Sequence, residues 1–152
     1  MSLIYVNPYS FVATDPNFAD VSLLLHGNGT NGSTTITDSS PSPKTVTAVG
    51  NAQISTAQSK FGGSSIAFDG TGDYLSVPND GTLQMGSVDF TIEFWIYFNS
   101  LSGYQTPFDK GVVSAGALLM QTGNGDGRIN VYASGSLVFA ESTNGSTATW
   151  TH

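Results

Sequence analysis

The 152-residue sequence has no cysteine, which removes disulfide frameworks, thiolate nucleophiles and cysteine-based metal sites together. Basic residues are nearly as scarce. Lys44, Lys60, Lys110 and Arg128 stand singly, and neutralising phosphates needs clustered Lys or Arg, so a nucleic-acid partner is excluded. No stretch approaches the roughly 18 apolar residues of a spanning helix, and MSLIYVNPYSF lacks the basic start and apolar run of a secretory signal. Membrane insertion is therefore not expected. With His26 and His152 as the sole histidines, a zinc centre or a nucleophile-histidine pair has little to be built from.

What is present is a chain with 11 acidic residues and a formal charge of -7, but only 10% charged residues overall. Gly, Ser, Thr and Asn take over the solvation that charges usually provide. No segment keeps a helical period over ten residues. From Val21 onward, short runs rich in Val, Ile, Thr, Phe and Tyr alternate with Gly, Asn, Asp, Ser and Pro clusters, the pattern of an all-β sandwich. Strands are expected near residues 21–26, 34–37, 44–49, 53–56, 65–68, 74–77, 90–98, 117–121, 128–133 and 137–141, with another starting at Thr149. In DFTIEFWIYF, Phe90, Ile92, Phe94, Ile96 and Phe98 alternate with Thr91, Glu93, Trp95 and Tyr97, so the even face is expected in the core. The odd face turns aromatic toward its end, which predicts a cover or a ligand. Residues 1–20 carry Pro8, Pro16 and several aromatics without periodicity and read as an extended N-terminal arm; 21–152 read as one domain.

Five segments stand in one order: SLLLH at Ser22, TDSS at Thr37, FGGSSIAFDGTGDYLSVP from Phe61, DFTIEFWIYF from Asp89 and ATWTH at Ala148. Together they resemble the laminin G-like jelly roll of the concanavalin A-like lectin and glucanase superfamily, in the variant common in bacteriophage tail, fibre and virion-surface proteins. The resemblance implies a two-sheet antiparallel jelly-roll sandwich over 21–152. In similar sequences the segment like TWTH opens a strand that continues into others, so the sandwich is expected to be incomplete at its C-terminus. The implied function is a non-enzymatic virion attachment module, assembling with other virion proteins and with itself as a homo-oligomer through its arm, and binding cell-surface polysaccharide. The alternative is a bacterial extracellular carbohydrate-binding or adhesion module stabilised by calcium. Either places the protein on a virion surface or outside the cell.

Within FGGSSIAFDGTGDYLSVP, the glycine pair is expected to turn the chain into a strand. Asp69 to Asp73 is expected to reverse it, so that Ile66 and Phe68 share an interior with Leu75 and Val77. Calcium takes Asp carboxylates and turn carbonyls, which makes Asp38, Asp69 and the main chain near Asn28 the expected ligands. The competing reading is that Asp38 caps its own turn. For sugar binding, Trp95, Tyr97, Tyr104 and Tyr132 supply faces for stacking and Asn130 an amide for hydroxyls; the competing reading places Trp95 and Tyr97 in a core or interface.

Catalytic readings fare worse. Glycoside hydrolysis needs two carboxyls about 5 to 9.5 Å apart. Asp89 and Glu93 are four strand positions apart, roughly 13 Å at about 3.3 Å per residue, and the one other glutamate is Glu141. Gly27-Asn28-Gly29-Thr30-Asn31-Gly32 matches a dinucleotide fingerprint in letters alone, since no helix can follow through the Thr-rich segment after it. Asn28, Asn31 and Asn144 begin N-glycosylation triplets, which such a composition produces by chance.

Overall fold

The computed structural model describes residues 16–85, 89–111, 117–123, 125, 128–133, 136–140 and 150–151. The expected arm lies mostly outside them, as do Glu141, the Asn144 triplet and all of ATWTH but its Trp-Thr pair. Residues 16–20 form a turn and the short 3-10 helix Phe18–Asp20.

The described chain is all-β and antiparallel, with two 3-10 turns, Phe18–Asp20 and Gly81–Leu83, as its helical content. It divides into two compact units, Met1–Leu83 and Gln84–His152. The first contains β1 (Thr47–Val49), β2 (Gln53–Ser55), β3 (Ser65–Ala67) and β4 (Tyr74–Ser76). Their pairing is nested. β2 pairs with β3 through Ile54 opposite Ile66, and β1 pairs with β4 through Ala48 opposite Leu75.

This nesting corrects one expectation about the glycine-rich segment. β3 and β4 flank Asp69–Asp73 yet do not pair with each other; each finds a partner on the other side of Gly50–Ala52. Phe68 is accordingly exposed, while Ile66, Leu75 and Val77 are half-buried. The ladder is broken at one level on both arms, and side chains close the break. Asp73 Oδ1 accepts from Asn51 N–H, Asp73 Oδ2 from Asp69 N–H at 2.7 Å, and Asp69 Oδ2 from the Asn51 amide at 3.0 Å. Gly50, at φ +72, passes so close to the Asp73 carboxylate and the Gly72 carbonyl that a Cβ would collide with them.

The expected strands at 21–26 and 34–37 reduce to a single bridge, Leu25 opposite Asp38. The buried apolar side chains of this unit are Ile36, Ala52 and Ile54, with Ile54 1% exposed. The segment around 31–33 is tied to Ile54, whose carbonyl accepts from Gly32 N–H while its own N–H donates to the Ser33 carbonyl, both at 2.8 Å.

The second unit holds β5 (Ile96–Tyr97), β6 (Phe108–Lys110), β7 (Leu118–Thr122), β8 (Ile129–Ala133), β9 (Ser136–Ala140) and β10 (Trp150–Thr151). β6 to β9 form one sheet in sequence order, and β5 pairs with β10 through Tyr97 opposite Trp150. Sequence had no counterpart for β6. The long strand expected over 90–98 is laddered only at its end, although its alternation survives: Phe98 is buried, Ile92, Phe94 and Ile96 are half-buried, and Thr91, Glu93 and Trp95 are exposed. Phe90 breaks that pattern at 51% exposure.

Because Ile54 is the largest apolar side chain fully enclosed here, Ile54→Ala should lower unfolding free energy by about 2–5 kcal/mol, read from urea denaturation. Gly50→Ala should cost more than about 1 kcal/mol, because strain adds to a backbone collision.

Candidate functional site

Register decides what each face of the four-stranded sheet presents, since residues directly opposite in an antiparallel pair share a face. Phe108, Met120 and Val131 align on one side, with Leu118 and Thr122 buried at 7% and 0% exposure. The other side carries Asp109 opposite Leu119, Leu119 opposite Tyr132, and Gln121 opposite Asn130. Asn130 and Tyr132 are thus neighbours along β8, with the Gln121 amide across from Asn130. All three are half-buried, and Asp109 is exposed.

A loop is fastened to one end of this face. Thr122 N–H donates to the Gln105 carbonyl at 2.8 Å, and Gln105 N–H donates back to Thr122 Oγ1 at 2.9 Å. The Gln121 amide donates to Thr106 Oγ1 at 3.3 Å, leaving its carbonyl oxygen and second N–H for other partners. Tyr104, 64% exposed, is carried on the fastened segment. Of the aromatics expected to meet a sugar, Tyr104 and Tyr132 with Asn130 therefore belong to the four-stranded sheet and its loop. Half-buried Tyr97 belongs to the β5–β10 pair, and Trp95, 40% exposed, directly precedes β5. Gln121 and Thr106 were missed, because nothing local in LLMQT says which residue faces Asn130; the Leu119/Gln121 alternation was the available hint.

The three expected calcium ligands hold different places. Asp38, 4% exposed, accepts from Leu24 N–H (3.0 Å) and Ser40 N–H (2.9 Å) on Oδ1, and from the Ser40 hydroxyl (3.0 Å) and Lys44 N–H (2.7 Å) on Oδ2. Burial pushes its carboxyl pKa up, but the N–H groups of Leu24, Lys44 and Ser40 and the Ser40 hydroxyl outweigh burial and hold it below the ordinary 3.8. Asp69, exposed, receives the Asn51 amide and the Thr71 N–H, in that order the causes of its own lowered pKa. The Asn28 side chain lies against Gly62, at φ +69, and Asn28 lines a shallow depression of about 140 Å³ with His26, Gly27, Ile36, Thr37, Ser39 and Ile54. Asp38 thus caps its turn, its two carboxylate oxygens accepting four hydrogen bonds. Among the described residues no group of three or more His, Asp or Glu converges.

Asp89 and Glu93 are both exposed and lie outside the assigned strands. Nothing described positions them as an acid and its partner.

An all-β, antiparallel chain of this kind has the architecture of a concanavalin A-like domain. The family model described as the concanavalin A-like lectin/glucanases superfamily, in its laminin G-like form, matches residues 69–152, more than half of the chain, and the protein belongs to that family. No curated protein and no solved structure matches it significantly.

Asp38 makes stability depend on acid with a defined sign. A folded-state pKa below the unfolded value means that its contribution is complete above about pH 4 and drains away as pH falls through the lower, folded value. Asp38→Asn should cost about 2–4 kcal/mol at neutral pH, since it strands buried donors, and should flatten the decline of stability below about pH 4. Denaturant midpoints measured across that range read both effects.

Proposed function

We propose that this protein is a non-catalytic carbohydrate-binding module that attaches its bearer to a cell-surface polysaccharide. The observation that carries this reading is the face of the β6–β9 sheet that also bears Leu119: the Gln121 and Asn130 amides lie opposite each other, and Tyr132 stands two residues along the same strand face. Amides bind vicinal hydroxyls as donor and acceptor at once, and an aromatic ring covers the apolar face of a pyranose. Tyr104 adds an exposed ring on the loop that Thr122 and Gln121 fasten to the end of the sheet. Membership of a superfamily of lectins and glucanases supports a sugar ligand. The exposed and unsupported Asp89 and Glu93 favour binding over hydrolysis.

The virion setting rests on the ordered segments that resemble phage tail and fibre domains. In that setting the bearer is a phage particle, and assembly with other virion proteins or a second copy supplies the avidity that shallow sugar sites need.

On a glycan array, the purified protein should retain a polysaccharide, and Tyr132→Ala and Asn130→Ala should each weaken retention about tenfold or more, a loss of about 1.4 kcal/mol. Tyr104→Ala should weaken it less. Unchanged binding in both β8 variants would remove this face from consideration, and polysaccharide turnover abolished by Glu93→Gln would replace the reading with a hydrolase.

A further inference from the structure

Residues 22–44 turn their polar groups in the opposite sense to a calcium loop. A calcium loop directs carboxylate and carbonyl oxygens inward at the ion. Here the N–H groups of Leu24, Ser40 and Lys44 and the Ser40 hydroxyl are directed at one carboxylate, Asp38, which is nearly out of contact with solvent. A cation placed beside that carboxylate would face donors from three points of the chain. Two carbonyls in the same segment do point at a positive charge, and the charge is already present. The Lys44 ammonium donates to the Ser22 carbonyl at 2.7 Å and to the Ser42 carbonyl at 3.3 Å.

Lys44 therefore acts twice. Its main chain donates to Asp38 Oδ2 at 2.7 Å, and its half-buried side chain gathers carbonyls 22 and 2 residues away in sequence. We propose that Lys44 is the built-in cation of this segment: its ammonium holds the carbonyls that a metal ion would otherwise hold, Asp38 holds the amides, and Asp38 does not bind calcium.

The test is thermal melting of the full chain with added calcium or with a chelator. The wild-type curve should be the same in both. Lys44→Met keeps the stem and the main-chain donor but loses the ammonium, and should lower Tm by about 3–8 °C in both conditions, as expected for a chain of this size losing one or two charged hydrogen bonds. Asp38→Asn should also melt lower, again equally with and without calcium. A calcium-induced rise in the wild type that vanishes in Asp38→Asn overturns the proposal, as does a Lys44→Met protein that melts like the wild type. A rise that persists in Asp38→Asn supports it, by placing the ion elsewhere. Should Asp38→Asn fail to fold, the amide NMR signals of Leu24, Ser40 and Lys44 in the wild type decide the matter. Signals that stay in place on addition of calcium support an internally closed site, and selective shifts at those three overturn it.

Discussion

A carboxylate can be buried only if its charge is met by donors, and in the first unit that requirement organises the chain around Asp38. The segments at Leu24, Ser40 and Lys44 have almost no β-ladder between them, yet each sends an N–H to the same two oxygens. Hydrogen bonding that a regular sheet would share out along two strands is here concentrated on one side chain. Ile36 and Ile54 can pack because the loop above them has its polar groups accounted for.

The same economy recurs at the break in the β1–β4 and β2–β3 ladders. Gly50 to Ala52 on one arm and Phe68 to Asp73 on the other leave main-chain groups that the ladder does not pair; the Asp69 and Asp73 carboxylates accept from the Asn51, Asp69 and Thr71 N–H groups, and the Asn51 amide ties the Asp69 carboxylate across. The Asp-Gly-Thr-Gly-Asp run is thus a splice in a nested hairpin, with its carboxylates turned to its own backbone. In the second unit a hydroxyl does comparable work: fully buried Thr122 holds Gln105 by both its N–H and its Oγ1, which fixes the loop bearing Tyr104 at the end of the sheet. Asp38, Asp69, Asp73 and Thr122 are spent on the fold, while Gln121 and Asn130 face each other across β7 and β8 and Tyr104 is exposed.

Much of this was legible from residue order. Short β-rich runs bounded by turn clusters located β1 to β4 and β7 to β9 within a few residues. Alternation also named the buried side of the 90–98 segment, although it overstated the ladder there, since alternating burial does not require a hydrogen-bonded neighbour. β6 escaped notice because Phe108–Lys110 is too short to show a period. The segments at 21–26 and 34–37 looked like strands by composition, but their pairing is the single Leu25–Asp38 bridge, and Leu24 N–H goes to the Asp38 carboxylate.

The sequence by itself determined the class of the molecule: without helical periodicity and with short β-rich runs between turn clusters, an all-β domain was the form left to it, and its ordered segments marked the superfamily. Tertiary structure decided which residues come together. Whether an aspartate faces a cation or a set of amides depends on the direction of main-chain groups brought from 14 residues away, as with Leu24 and Asp38. Whether Asn130 has a second amide beside it depends on the register that sets Gln121 opposite. Both are properties of chain segments meeting in space, and no local pattern encodes the meeting.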